Sequence, residues 1–159
     1  MTKDMQLVGF RVGRETFAVP IEVVHEIVRT MEITSVPDAP GYVEGVLNLR
    51  GRIIPVIDLR KRFHEPEIVA DKKNRILVAE IMGRMVGLMV DAASEVFKIP
   101  HGSIEEPPEA LRENGLSYVT GLGKRNGKLI ILIDLEKIMQ RGELRRLSEF
   151  EDLQPQGAA

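Results

Sequence analysis

The chain contains one long internal repeat, and this repeat constrains its fold more than any other feature of the sequence. Residues 42–63 align with residues 118–139 at a constant offset of 76 positions and without a gap. Nine of the 22 aligned positions are identical, namely those of Tyr42, Val43, Gly45, Gly51, Ile54, Ile57, Asp58, Leu59 and Lys61. A repeat of this length that occurs only twice predicts two similar packed units rather than a solenoid.

Each half of the chain opens with a predicted β-hairpin. In both halves, two apolar β-forming runs flank a turn that contains glycine; the runs are 7–12 and 16–19 in the first half, and 75–81 and 85–90 in the second. The hairpins are offset by 70 positions rather than 76, which implies a net insertion of six residues in the second half. The segment 105–115, which contains the sequence Glu-Glu-Pro-Pro, is expected to hold this insertion as an exposed loop.

Short helices are predicted after each hairpin and after each repeated strand. Apolar residues at helical spacing behind Pro20 predict a helix over 20–28, and 91–97 is its counterpart. After the repeated strands, Asp58 and Asp134 stand where a carboxylate caps a helix by accepting hydrogen bonds from free backbone N–H groups. Because both halves keep this Asp, capping is favoured over catalysis.

Four glycines occupy matched positions of the repeat and are expected to be structural. They are Gly45 and its partner Gly121, and Gly51 and its partner Gly127. Gly51 lies in the predicted turn before the repeated strand, where glycine tolerates a positive φ that other residues resist.

The predicted fold class is all-β with short helices. Short β-forming runs that are broken by glycine turns favour one five-stranded barrel per half, with the apolar faces packed around one shared core. We expect a single domain over 1–159 with two units, 7–63 and 75–139, and an exchange of strands between them is left open. Residues 140–159 are expected to form a C-terminal amphipathic helix and a tail.

Composition argues against several classes of function. The chain has no cysteine, which excludes thiol catalysis and thiolate metal sites, and its three histidines lie far apart in sequence. Arg52 follows Gly51 where a phosphate-binding loop requires Lys, and no nucleophile elbow is present. We therefore expect no catalytic residue, no metal and no cofactor. An enzyme remains the alternative from another class, and it would require a polar pocket with perturbed carboxylates.

The charge and the location of the protein are also constrained. A net charge of −2 with only 4% aromatic residues argues against binding to single-stranded nucleic acid, which needs a basic groove and stacking platforms. A small β-barrel that binds nucleic acid therefore remains only a remote alternative.

The N-terminus lacks the apolar core of a signal peptide, and no apolar run is long enough to span a bilayer, so a cytoplasmic protein is expected.

Arg50 marks the clearest difference between the two halves. Residues 48–50 read Asn-Leu-Arg where the aligned residues 124–126 read Lys-Arg-Asn. An Arg on a tight turn, next to Arg52, is a rigid bidentate donor that suits an acidic or amide-rich partner. Alternatively, Arg50 closes its own loop by binding backbone carbonyls or Asp38. The residues alone favour neither reading.

The sequence as a whole resembles one known family. Residues 40–60, which read PGYVEGVLNLRGRIIPVIDLR, together with 86–91 and 118–123, are similar to the motifs of the CheW family, the coupling proteins of bacterial chemotaxis. The resemblance extends from about Leu7 to Met139. It implies two SH3-like five-stranded barrels around a hydrophobic core, which agrees with the fold expected from the repeat.

The resemblance also implies a function and a set of partners. Proteins of this family are non-enzymatic adaptors that join the regulatory domain of the CheA-type histidine kinase to the cytoplasmic tips of methyl-accepting chemotaxis receptors. Further copies of the coupling protein can join them in rings, at the inner face of the membrane and without inserting into it. A CheW-like adaptor of a pilus-motility or other chemosensory pathway is the alternative within the family.

The family resemblance assigns four residues to the receptor side. Arg50 matches an arginine that is associated with receptor coupling, and Val24 and Glu26 match positions linked to receptor contact. Ile76 begins a strand that borders the groove between the barrels, although its neighbour Arg75 departs from the apolar residue expected there. No residue is assigned to the kinase side.

Overall fold

The structure is a computed structural model, and it describes residues 4–37, 43–63, 65, 70–113 and 118–138. Within these residues the strands are β1 (Asp4–Val12), β2 (Glu15–Pro20), β3 (Val24–Arg29), β4 (Val43–Leu49), β5 (Arg52–Asp58), β6 (Arg75–Ile81), β7 (Arg84–Val90), β8 (Ala92–Pro100), β9 (Val119–Arg125) and β10 (Lys128–Ile133). The α-helices are short: α1 (Leu59–Arg62), α2 (Glu109–Glu113) and α3 (Leu135–Ile138). The predictions for Asp38 and for the helix and tail over 140–159 lie outside the described residues.

The ten strands form two five-stranded sheets. Sheet A has the order β8-β1-β2-β10-β9, and sheet B has the order β3-β6-β7-β5-β4. Neighbouring strands are antiparallel except for β2 with β10 and β5 with β7, which are parallel. The predicted all-β fold with two five-stranded units is therefore confirmed, and we refer to the units as barrel A and barrel B.

Each barrel takes strands from both halves of the repeat. Adding or subtracting five from each strand number converts the order of sheet B into that of sheet A, so the internal repeat is also a repeat of strand order. The opening hairpins have changed places: β1 and β2 complete barrel A, and β6 and β7 complete barrel B. The two units therefore interleave along the chain instead of following 7–63 and 75–139. The exchange pairs strands of similar length. Strands β1 and β8, which pair in sheet A, have nine residues each, and β6 and β3, which pair in sheet B, have seven and six.

The helices predicted over 20–28 and 91–97 are wrong. Only Ile21–Val23 forms a turn of 3-10 helix in the first segment, and β3 follows it directly. Strand β3 pairs with β6, and β8 pairs with β1 along nearly its whole length. The spacing of apolar residues over 24–29 fits a helix as well as a strand. Val and Ile are stiff at χ1 and fit a pleated surface, so pairing with the sheet decided in favour of the strand.

The insertion segment is only partly a loop. Its first residue, Glu105, forms an isolated bridge with Leu122 of β9, and α2 follows over 109–113. The bridge has a counterpart in the first half, where Thr34 pairs with Val46 of β4. Thr34 and Glu105 are 71 positions apart, so five of the six additional residues follow a contact that both halves share.

Apolar side chains form three clusters. The interior of barrel B contains Leu47, Leu49, Ile54, Val56, Ile76, Val78 and Met85, and that of barrel A contains Leu7, Ala18, Phe97, Ile99, Ile130 and Leu132. A third cluster joins the barrels, because Phe10 and Phe17 of sheet A pack in it with Leu77 and Leu88 of sheet B. Burial of each large aliphatic or aromatic side chain stabilises the fold by about 1.5–3 kcal/mol. This shared core, which the sequence predicted, is the main source of cohesion between the barrels.

Candidate partner-binding site

Arg50 and Glu26, which the family resemblance assigns separately to the receptor side, form an ion pair. Arg50 lies in the turn between β4 and β5, and its Nη2 donates a hydrogen bond to Oε2 of Glu26 on β3. Strands β3 and β4 are the two edges of sheet B, so the pair links the edges where the barrel closes. The Arg50 side chain nevertheless stays 69% exposed, and that of Glu26 is 24% exposed. Arg50 therefore joins the two edges of barrel B and faces solvent at the same time.

The backbone of this turn holds Arg50 in an unfavourable conformation. Arg50 has a φ of 51° and Gly51 a φ of 86°, the pair of positive values that a tight hairpin turn requires. The Asn48 side chain accepts a hydrogen bond of 2.9 Å from the backbone N–H of Gly51 and fixes the turn. At the matched position the other barrel has Asn126, with a φ of 53°. Asn tolerates this region better than Arg does, so the turn at Arg50 carries more backbone strain than the matched turn of barrel A.

The remaining two receptor-side residues are less accessible. Val24 is half-buried and packs against the shared core. Ile76 is 0% exposed and lies in the interior of barrel B, so the expectation that it borders a partner-contacting groove is wrong for its side chain. Its neighbour Arg75 donates hydrogen bonds to the carbonyls of Lys72 and Asn74, at 2.7 and 2.8 Å. Ile76 faces inward because side chains alternate along β6, and Leu77 takes the face that packs on the other barrel.

A cleft of about 310 Å³ opens between the two barrels. Sheet A contributes Met5, Val19, Pro20 and Leu132 to its walls, and α3 contributes Leu135. The residue immediately before Val24 also lines the cleft, which places the N-terminal end of β3 at its border. Carboxylates from both barrels surround the apolar floor, namely Glu80, Asp134 and Glu136. The cleft is thus an apolar trough with an acidic rim.

The two capping carboxylates have different surroundings. Asp134 accepts a hydrogen bond of 2.9 Å from the backbone N–H of Glu136 at the start of α3. Asp58 does the same for Arg60 in α1, but it also binds the Arg60 side chain through both oxygens, at 2.9 and 3.0 Å. Burial by itself lowers the pKa of Arg60, but the hydrogen bond and the charge of Asp58, with a contribution from Asp91, outweigh it and raise this pKa.

Sequence reasoning missed Arg60, although the repeat held a signal. The aligned residue of the second half is Glu136, so the two halves carry opposite charges at one matched position. Arg60 is buried with Asp58, whereas Glu136 is exposed. The reversal of charge between Arg60 and Glu136 therefore indicated that the first half has a buried ion pair at this position and the second half does not.

Among the described residues, no group of three or more His, Asp or Glu side chains could hold a metal ion. In the same part of the chain, no helix is long and apolar enough to cross a membrane.

A family model described as the CheW-like domain matches residues 6–143. The chain belongs to the CheW family. It is similar to the chemotaxis protein CheW of Treponema pallidum, with 31% identity over 93% of this chain and 89% of that protein. It is also similar to the chemotaxis protein CheW of Helicobacter pylori, with 36% identity over 86% of this chain and 82% of that protein.

A solved structure from the same family supports the fold. The crystal structure of the scaffolding protein TtCheW from Thermoanaerobacter tengcongensis matches this chain with a TM-score of 0.77 and 39% identity, over 87% of this chain and 94% of that one. The resemblance to the CheW family that residues 40–60 indicated is therefore confirmed. The match also agrees with the SH3-like character expected of the two barrels.

Proposed function

We propose that this protein is a non-enzymatic coupling adaptor of a chemotaxis signalling array, which joins receptor tips to a CheA-type histidine kinase. Membership of the CheW family supports this role, and so does the solved relative, which is described as a scaffolding protein. The structural observation that carries the proposal is the exposed Arg50 guanidinium, held on a strained turn by Glu26.

The Arg50–Glu26 pair suits recognition of a polar partner. The guanidinium has five N–H donors, and the bond to Glu26 uses Nη2, so donors remain for carboxylates or carbonyls of a receptor. Because Glu26 and the turn fix the direction of the side chain, little conformational entropy is lost on binding. An arginine presented in this way favours specificity of docking over raw affinity.

The cleft between the barrels suits the apolar face of a helix. Its floor includes Met5, Val19 and Leu132, and an amphipathic helix from a receptor hairpin presents apolar residues at helical spacing to such a trough. The acidic rim of the cleft would meet basic residues on the flanks of that helix. The receptor side of the adaptor then comprises the cleft and the rim of barrel B, with Val24 at the border between them.

The kinase side is assigned to barrel A. Of the large apolar side chains that the described residues leave exposed, Val96 on β8 and Leu129 on β10 lie on sheet A, and they are 54% and 46% exposed. Single exposed apolar side chains are common on protein surfaces, so the assignment depends mainly on barrel B carrying the receptor-side residues Arg50 and Glu26. An adaptor with its two partners on different barrels transmits receptor state through the shared core, provided that the barrels keep a fixed relative orientation.

A reconstituted assay with receptor, kinase and adaptor tests the proposal. Arg50→Glu should fold normally and still bind the kinase, but it should abolish receptor-dependent kinase activation, because the reversed charge repels Glu26 and the partner's acceptors. Arg14→Glu is the matched control, since Arg14 is also an exposed arginine in a hairpin turn. Normal activation by Arg50→Glu would refute the assignment of Arg50 to the receptor side. Loss of activation in both variants would mean that the change in net charge, and not the position of Arg50, impairs activation.

A further inference from the structure

Helix α1 packs on β5 and β7 of barrel B, and its C-terminal end reaches barrel A. It follows β5, and its last residue Arg62 donates hydrogen bonds of 3.2 and 2.7 Å from Nε and Nη2 to the carbonyl of Ile138 in α3. The next residue, Phe63, has its ring centroid 4.9 Å from that of Phe17 on β2 and 5.5 Å from that of Tyr118, which precedes β9. The C-terminal end of α1 is therefore docked on the opposite barrel.

The other side of α1 reaches the point where the chain passes between barrels. Asp91 is the single residue that joins β7 of sheet B to β8 of sheet A. Its Oδ2 accepts a hydrogen bond of 2.7 Å from the backbone N–H of Gly13, in the β1–β2 turn of barrel A. Its Oδ1 lies 3.5 Å from Nη1 of Arg60 in α1. One carboxylate thus binds an element of each barrel.

Two more side chains complete this network. Asp58 holds the Arg60 guanidinium in a bidentate pair, and Asn74 donates a hydrogen bond of 3.1 Å from Nδ2 to the carbonyl of Asp91. We call the set of Asp58, Arg60, Asn74, Asp91 and the Gly13 N–H the seam cluster. Asp58, Arg60 and Asn74 are the polar side chains that the described part of the chain buries.

The energetics of the seam cluster point to geometry rather than to stability. A buried ion pair gains little net free energy, because the loss of hydration offsets the attraction between the charges. The shared apolar core already holds the barrels together, but apolar burial is non-directional and permits small rotations of one barrel on the other. A fully hydrogen-bonded charge network is short-ranged and angular, so it tolerates one arrangement only.

We propose that the seam cluster is an orientation lock, which fixes the angle between the two barrels through Arg60 and Asp91. Apolar burial supplies the cohesion, and the seam cluster selects one orientation from those that the core allows. The residues of the lock are positioning residues and lie away from the candidate receptor site. That the lock also serves signal transfer rests on the proposed adaptor function, whereas the lock itself is a property of the isolated chain.

Distance measurements between the barrels test the lock directly. The chain has no cysteine, so Lys98→Cys on β8 and Arg29→Cys on β3 place one nitroxide label on each barrel, both at exposed positions. The labelled native chain should give a narrow distribution of label distances by pulsed electron paramagnetic resonance. Asp91→Asn should broaden this distribution. The double variant Asp58→Asn with Arg60→Met should do the same, and it removes both members of the buried Asp58–Arg60 pair.

A matched control and a second readout keep the test decisive. Arg125 on β9 and Glu95 on β8 form an ion pair within barrel A, so Arg125→Met with Glu95→Gln removes a pair that does not cross the seam and should leave the distribution narrow. In Asp91→Asn, hydrogen exchange of the Gly13 amide should become about tenfold faster, because the amide loses its charged acceptor.

The outcomes separate the lock from a purely structural role. Broadening in the seam variants, with unchanged circular dichroism and a narrow distribution in the control, supports the lock. Distributions as narrow as that of the native chain in both seam variants would overturn it, and so would equal broadening in the control. These measurements use the isolated protein, so their result does not depend on whether Arg50 couples a receptor.

Discussion

Arg62 donates two hydrogen bonds to the backbone carbonyl of Ile138, the residue that occupies the same position as Arg62 in the other half of the repeat. Helices α1 and α3 thus meet through residues at the same position of the repeat, but the contact is not symmetric. One half supplies a long charged donor and the other an apolar residue that is buried in the shared core. The two barrels are alike in strand order, but at this contact the first half donates the hydrogen bonds and the second half accepts them.

We expect Arg62→Met to destabilise the protein by about 1–3 kcal/mol, because the partly buried Ile138 carbonyl loses a charged donor. Arg62→Lys should cost less, since an ammonium group can still donate to the same oxygen. Urea unfolding of both variants checks the order. Equal loss in Met and Lys variants would mean that the fork geometry of arginine, rather than its charge, carries the contact.

We expect the charge-swapped variant Arg50→Glu with Glu26→Arg to retain the closure of barrel B but not receptor-dependent activation. The swapped pair can reform across the β3–β4 edge, whereas the guanidinium then projects from β3 instead of from the turn. Thermal melting of the single and double variants measures the first effect, and the reconstituted kinase assay measures the second. Full activation by the double variant would show that the pair acts only by closing the barrel.

We expect Gly45→Ala to destabilise the protein far more than Gly51→Ala. A Cβ at Gly45 would lie 2.1 Å from the carbonyl oxygen of Thr34, where a backbone bridge to Val46 allows no movement, and its φ is 147°. Gly51 has open space around it, so Ala there meets only the strain of a φ of 86°, about 1–2 kcal/mol. Comparison of the two unfolding midpoints checks this. Similar midpoints would mean that the Thr34 segment yields easily.

We expect the stability of the native chain to fall more steeply in alkali than that of Tyr118→Phe. Burial raises the pKa of the Tyr118 phenol above its ordinary value of 10.0, although the charge of Arg62 opposes this. The folded state therefore favours the neutral phenol. The resulting stabilisation is fully present below pH 10.0 and is lost as the pH rises towards the raised pKa. Melting temperatures of both proteins between pH 8 and 11 (the range that brackets an ordinary tyrosine, about 10) measure the difference, and parallel curves would contradict the prediction.

Much of the site was visible before the fold was known, but not its arrangement. The mismatch of residues 48–50 with 124–126 singles out Arg50, and two of the four residues that the family resemblance assigns to the receptor side, Arg50 and Glu26, lie together on barrel B. Their mutual ion pair could not be predicted, because 24 positions separate them and no local pattern relates them. The assignment of Ile76 to the groove was wrong because an apolar residue at the start of a strand does not reveal whether its side chain faces the barrel interior or the groove.

The sequence by itself determined the number and kind of units. The repeat around Gly51 and Gly127, the apolar runs and the Asp at the end of each repeated strand are local patterns, and turns, strands and caps depend mainly on neighbouring residues. The tertiary structure alone decided that the opening hairpins change barrels, that residues 24–29 form a strand, and that Arg60 is buried beside Asp58 and Asp91. These outcomes depend on pairing and burial between distant segments, where the free energy of the assembled sheets and of the desolvated charges outweighs the weak preference of any short stretch.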